Sequence, residues 1–236
     1  IQNFQRISKL LRLLHLQIEC KQVLLKNGLT MIICVITASY PYGKLEDTFL
    51  KEEIEIINNM FSEVHIFPRD NQGAKSNLPR QININTELAV RLSSLRKRNV
   101  KNVWIFLLDV ILSCDIYWEI FTKGLFPRQI KNIKWLIKYQ LKRKLVARYI
   151  SDWLRVNNFY KKKIIFYTFW LDEATHGICD AIVPFCHNMK VVSRAHGFDI
   201  YEERANPPYW PLRPFWFDKV DAIHADSNLA QHYLIN

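Results

Sequence analysis

The segment Met31–Thr37, MIICVIT, narrows what this chain can become more than any other. It is a continuous apolar run rich in β-branched residues, with no alternation that would turn one face to water. Such a run fits a strand covered on both faces, as in a parallel sheet. It ends in Ser39-Tyr40-Pro41-Tyr42-Gly43, where Pro and Gly impose a turn. From Glu46 to Phe61, Phe49, Ile54, Ile57 and Phe61 supply a helical stripe, and Glu63–Pro68, EVHIFP, reads as a second strand. Strand, helix and strand in this order make a βαβ unit. The pattern returns later, with a strand at Lys163–Thr168, a helix from Ala174 to His187, and strands at Lys190–Ala195 and Val220–Ala225. Between the two blocks Asn85 to Arg98 reads as helix, while Asn102 to Phe126 is apolar and stays open between helix and strand. The expected fold class is α/β, a Rossmann-like parallel sheet flanked by helices. Ser227 is placed to cap a last helix, which the chain leaves at Asn236 as an interruption.

The net charge of +11 is local. Between Phe121 and Lys163 lie 13 Lys/Arg and a single acid, Asp152, so this stretch carries more positive charge than the whole chain nets. Ile130, Ile133, Ile137, Leu141 and Leu145 recur at helical spacing, and Lys131, Lys134, Lys138 and Lys142 follow a neighbouring stripe. One reading is a helix that buries its apolar face and leaves its lysines solvated. The other is membrane-facing lysines, each worth about 1 kcal/mol against an anionic leaflet. No recognised nucleic-acid motif accompanies the charge, and nucleic acid is not an expected partner.

The five cysteines, Cys20, Cys34, Cys114, Cys179 and Cys186, form neither a CxxC nor a His/Cys cluster at metal-ligand spacing. A reduced, cytoplasmic chain with no metal site is the expectation. The longest apolar stretch, Trp104 to Phe126, is broken by Asp109, Asp115, Glu119 and Lys123 and does not reach the length of about 20 apolar residues that spans a bilayer. No secretory signal is visible at the start.

Ligands of an open parallel sheet collect outside the carboxyl ends of its strands, so the loops there hold the candidate residues. After the first strand, Tyr42 and Gly43 form either a plain turn or a binding loop, without the glycine pattern of a dinucleotide or P-loop site. After Lys163–Thr168 come Trp170, Asp172 and Glu173, with Asp172 open between a helix cap and a sugar contact. After Lys190–Ala195 come His196, Gly197, Phe198 and Asp199, with Arg194 on the same side of the strand as His196 if alternation holds. Tyr201, Tyr209, Trp210 and Trp216 follow as candidates for stacking on sugar rings or for core packing.

At these residues the chain resembles the family-4 type glycosyltransferases that build capsular, exopolysaccharide and O-antigen chains. The resemblance runs from Met31 to the end and rests on SYPYGKLEDTFLKEEI, IFYTFWLDEA, VSRAHGFDIYEE and DAIHADSNLAQHYL, in that order. It implies a GT-B fold in which residues 31–236 are the N-terminal, acceptor-binding domain, truncated at its end and lacking the C-terminal GT-B domain. It also implies a retaining, metal-independent transfer of a sugar from a nucleotide-sugar to a glycan or lipid-linked glycan acceptor, with no cofactor. By resemblance His196 is the catalytic residue beside the donor sugar, and Tyr42, Gly43, Trp170, Asp172, Glu173, Arg194, Gly197 and Asp199 border the acceptor cleft. Activity then requires a donor-binding domain. The alternative is a non-catalytic module that docks on an anionic membrane surface or a partner. Residues 1–30 lie outside the resemblance and read as a helical tail or a non-native extension.

Overall fold

A computed structural model describes residues 31–44, 46–79, 81–96, 107–125, 129–185 and 187–235. Strands β1 (Met31–Thr37), β2 (Glu63–Pro68), β3 (Ile82–Ile84), β4 (Lys163–Thr168), β5 (Met189–Ala195) and β6 (Ala222–Ala225) form one sheet in the order β3-β2-β1-β4-β5-β6. Every pairing is parallel, with Cys34 of β1 facing His65 of β2 on one side and Phe166 of β4 on the other. The chain steps outward from β1 to β3, returns to β4 beside β1, and steps outward the other way, so the order reverses between β1 and β4. This is the strand order of a Rossmann-like fold.

All seven residues of β1 are buried, which is why its sequence shows no alternation. Ile32, Cys34 and Ile36 point to one face, where they meet α2 (Glu87–Arg96), α4 (Ile130–Val156) and α5 (Glu173–Ile182). Met31, Ile33 and Val35 point to the other, under Leu50, Ile54 and Ile57 of α1 (Asp47–Met60). Burying such side chains is worth roughly 1.5–3 kcal/mol each, so the central strand fixes both layers at once.

Several limits differ from the sequence reading, and one strand is new. The short β3, on the sheet edge, was not anticipated: Ile82 and Ile84 are only partly buried, Asn83 between them is exposed, and the segment shows no apolar run. The helix expected to reach His187 ends at Ile182 and passes into a 3-10 turn, Val183–Phe185, because Pro184 has no amide hydrogen to continue it. The expected strand from Val220 starts at Ala222. Within the ambiguous stretch 102–126, the described part is helical, with α3 at Cys114–Thr122. Residues 1–30, Cys20 and Cys186 lie outside the described residues.

Helix α4, 27 residues long and therefore about 40 Å, is much longer than the strands. Its C-terminal half, with Leu145, Tyr149, Ile150 and Trp153, covers the sheet. Its N-terminal half, with Leu136 and Tyr139, packs against Ile116 of α3 and against Tyr209 and Leu212. Because α4 runs antiparallel to the strand it feeds, that N-terminal half projects beyond the carboxyl edge of the sheet. The arrangement is tied by Arg143, whose guanidinium pairs with Asp115 of α3 and, at 2.6 Å, with Asp180 of α5. Helices α4 and α5 cross closely at Gly177, where a Cβ would stand 2.5 Å from the Arg143 carbonyl oxygen. The remaining α-helices are the single turn α6 (Gly197–Ile200) and α7 (Asn228–Ile235). Among the described residues no helix is long and apolar enough to cross a membrane.

Candidate functional site

The reversal of strand order leaves a crevice between the ends of β1 and β4, and a cavity of about 770 Å³ opens there. Its floor is Ala38 and Ser39 after β1, Arg69 and Asp70 after β2, and Trp170, Asp172 and Glu173 after β4. Its roof is the overshooting half of α4, through Trp135, Lys138, Leu141 and Lys142, and Phe198 and Trp210 close one side. The size and the mix of aromatic walls with a few fixed polar groups are those of a small-molecule site.

The loop after β1 is closed by the protein's own carboxylate. Glu46, 2% exposed, accepts the amides of Ala38 and Ser39 at 2.9 and 2.7 Å, that of Tyr40 at 2.9 Å, and the indole N–H of Trp170 at 2.8 Å. Successive backbone amides in such a turn form a nest that attracts anions, and in nucleotide-binding folds with this strand order a phosphate sits after the first strand. Here Glu46 fills the nest and, through Trp170, fixes one wall of the cavity.

Two partly buried ion pairs line the floor. The Arg69 guanidinium lies 2.5 Å from Asp172 and 3.7 Å from Glu173, and the Lys142 ammonium lies 2.5 Å from Glu173. Asp172 also caps α5, accepting the Ala174 amide at 2.9 Å, so its two expected roles coexist. Burial, the largest cause, with the neighbouring Glu173 raises the Asp172 carboxyl to about 6 against the pull of Arg69. Glu173 is also opposed by burial, but Lys142 and Arg69 outweigh it and its pKa falls. Adjacent carboxyls with their affinities for protons pushed apart can present one acceptor and one partly protonated group to a hydroxyl-rich ligand.

His196 stands at the end of β5 with its ring 4.8 Å from Phe169 and 4.6 Å from Trp170. It is thus on the same edge of the sheet as the Pro41–Gly43 turn, linked to it through Trp170 and Glu46. Its Nδ1 is buried without a hydrogen-bond partner among the described residues, 4.0 Å from the Asp199 carboxylate. Asp199 is occupied on both oxygens, by the His196 amide at 2.6 Å and the Leu171 amide at 2.7 Å, so it clamps the β4 and β5 loops together. Arg194 lies over Phe169 and pairs with buried Glu53 at 3.3 Å, which in turn accepts the Tyr167 hydroxyl at 2.6 Å.

No family model, curated protein or solved structure matches this chain. The site therefore stands on its geometry alone.

Of the residues singled out from the sequence, Trp170, Asp172, Glu173 and Asp199 line the cavity. His196 and Arg194 sit behind its wall, packed against Phe169. Tyr42 and Gly43 lie at the far side of the turn, bridged to Lys75 and Ala74. Gly197 approaches a side chain, not an open ligand space: a Cβ there would meet the Arg204 guanidinium at 2.6 Å. The lysine stripe divides. Lys131, Lys134 and Lys138 are exposed, whereas Lys142, grouped with them as membrane-facing, turns into the cavity to reach Glu173. Among the aromatics, Tyr209 and Trp216 are core residues, Tyr201 is half-buried, and Trp210 lines the cavity. The sequence reading missed Arg69, Glu46 and Trp135 as site residues. Arg69 was findable, because it directly follows Pro68 at a strand's carboxyl end. Glu46 carried no signal, since a glutamate before a helix reads as an ordinary first-turn acid.

Proposed function

We propose that the domain binds a glycan in the cavity between β1 and β4, as the acceptor-binding half of a glycosyltransferase. The observation that carries this reading is the pairing of three indoles, Trp135, Trp170 and Trp210, with a fixed carboxylate and guanidinium set in a single cavity whose phosphate nest is already filled by Glu46. Sugar rings present an apolar face that stacks on indoles and hydroxyls that bridge Asp172, Glu173 and Arg69. A dinucleotide has nowhere to put its pyrophosphate, so the nucleotide-sugar is held mainly by a donor-binding domain. On this reading the transfer is retaining and needs no metal, as the sequence resemblance implies, and His196 acts from behind Trp170 at the rim toward the donor.

Saturation-transfer NMR on the chain tests it. Neutral oligosaccharides such as maltotetraose should receive magnetisation, Trp170→Ala should abolish the transfer, and NAD and ATP should receive little. Binding of either nucleotide in preference to every oligosaccharide would overturn the reading.

A further inference from the structure

The charge on α4 narrows the ligand further. Lys131, Lys138 and Lys142 share an azimuth with Tyr149, the residue that faces the sheet in the C-terminal half of the helix, and Lys134 borders it. Since the N-terminal half overshoots the sheet, this azimuth there looks across the carboxyl edge and along the mouth of the cavity, which Lys138 and Lys142 line. The innermost cation is neutralised, Lys142 by Glu173 at 2.5 Å, as is Arg69 by Asp172. Lys131, Lys134 and Lys138 are exposed and make no ion pair among the described residues, Lys138 resting 5.5 Å from the centre of the Trp135 ring. In the lining the carboxylates of Asp70, Asp172, Glu173 and Asp199 outnumber Arg69 and Lys142, so the cavity is acidic inside and positive along its approach, with one cation per helical turn, about 5.4 Å apart.

Resting on the glycan reading of the cavity, we propose that the acceptor is an anionic glycan. An uncharged terminal sugar occupies the cavity, and carboxylate or phosphate groups on the following residues lie against Lys138, Lys134 and Lys131. A row of single charges one turn apart suits a chain carrying about one negative charge per sugar residue. A lone diphosphate would call for clustered cations, and a lipid surface would not explain why the row leads into an aromatic-walled cavity lined with carboxylates.

The test is titration of the chain with tetragalacturonate capped by a neutral galactose, so that its terminal sugar is uncharged, and with maltotetraose, followed by tryptophan fluorescence and calorimetry. The same titrations are run on the triple variant Lys131→Gln/Lys134→Gln/Lys138→Gln, whose fold is checked by circular dichroism. Tetragalacturonate should bind the native chain about tenfold tighter than maltotetraose at low salt. The triple variant should lose the preference and bind the two sugars with equal affinity. Equal affinity of the native chain for the two sugars overturns the anionic preference and leaves the glycan reading standing. If neither sugar binds, both fall, and parallel arms with phosphatidylglycerol-containing vesicles and with single-stranded oligo-dT show whether the lysines serve a membrane or a nucleic acid instead. A repeat with a sugar-phosphate oligomer separates carboxylate from phosphate as the recognised group.

Discussion

Replacing Glu46 by Gln is the sharpest perturbation of the site's frame. The carboxylate holds two donors on each oxygen: Ala38 N and Trp170 Nε1 on one, Ser39 N and Tyr40 N on the other. An amide keeps one oxygen and turns an NH2 toward the other two donors, whichever way it is flipped, so two of the four bonds are lost. Hydrogen bonds to a charged acceptor contribute about 1.5–3 kcal/mol each. Allowing for relaxation of a loop at the protein's edge, the loss is about 3 kcal/mol, and for a chain of this size the melting temperature falls by about 6–12 °C. Glu46→Ala goes further, because it empties the nest and leaves three amides converging on open space. Inorganic phosphate should then bind there and raise the variant's stability by about 2.7 kcal/mol at 100 times its dissociation constant, with no such effect on the native chain. Urea unfolding of native and variant proteins, with and without phosphate, reads both effects. If Glu46→Gln melts with the native chain, or if phosphate stabilises native and Glu46→Ala proteins alike, the nest is not filled as described.

Gly177→Ala should destabilise the chain by about 3 kcal/mol, since its methyl must push back the Arg143 carbonyl, 2.5 Å away, and the Val146 side chain, 3.0 Å away; an unchanged denaturation midpoint would show the crossing to be looser. Arg69→Met strips the main partner from buried Asp172 and should cost about 3 kcal/mol at pH 7, with part of that recovered at pH 5, where Asp172 takes up a proton; thermal melts at the two pH values decide it. His176 is fully buried and burial holds its pKa well below 6.5, so as pH falls through 6.5 only the unfolded chain gains that proton and stability is lost, by up to about 1.4 kcal/mol per pH unit. Below pH 6 the raised Asp172 carboxyl acts in the opposite sense, because the folded chain then binds its proton first; His176→Phe should remove the loss between pH 6.5 and 6, and a slope that persists in the variant would assign it elsewhere.

The sheet was legible because its strands are buried on both faces, and an uninterrupted run such as MIICVIT has few other uses. Both β1 and β4 came out at their expected limits. The edge strand β3 was invisible for the converse reason, having one neighbour and little to bury. The loops after β4 and β5 were found by the strand-end rule, but which of their side chains face the cavity was not, since Arg194 turns to Glu53 and His196 packs against Phe169. The pairing of Lys142 with Glu173 spans 31 residues, and no local pattern announces a contact of that kind. The lysine stripe was visible as a periodicity, yet its direction depends on α4 outrunning the sheet, which only the packing shows.

That overshoot also explains how a sheet with the nucleotide-binding strand order comes to offer something other than a nucleotide site. In such a sheet the usual ligand is held from below, by amides of the loop between β1 and the following helix. Here those amides are consumed by Glu46, and the ligand-facing surface is supplied from above, by side chains on a helix long enough to reach past the strand ends. Backbone amides recognise a phosphate wherever it occurs, whereas Trp135, Lys138 and Lys142 are set by the phase and length of α4.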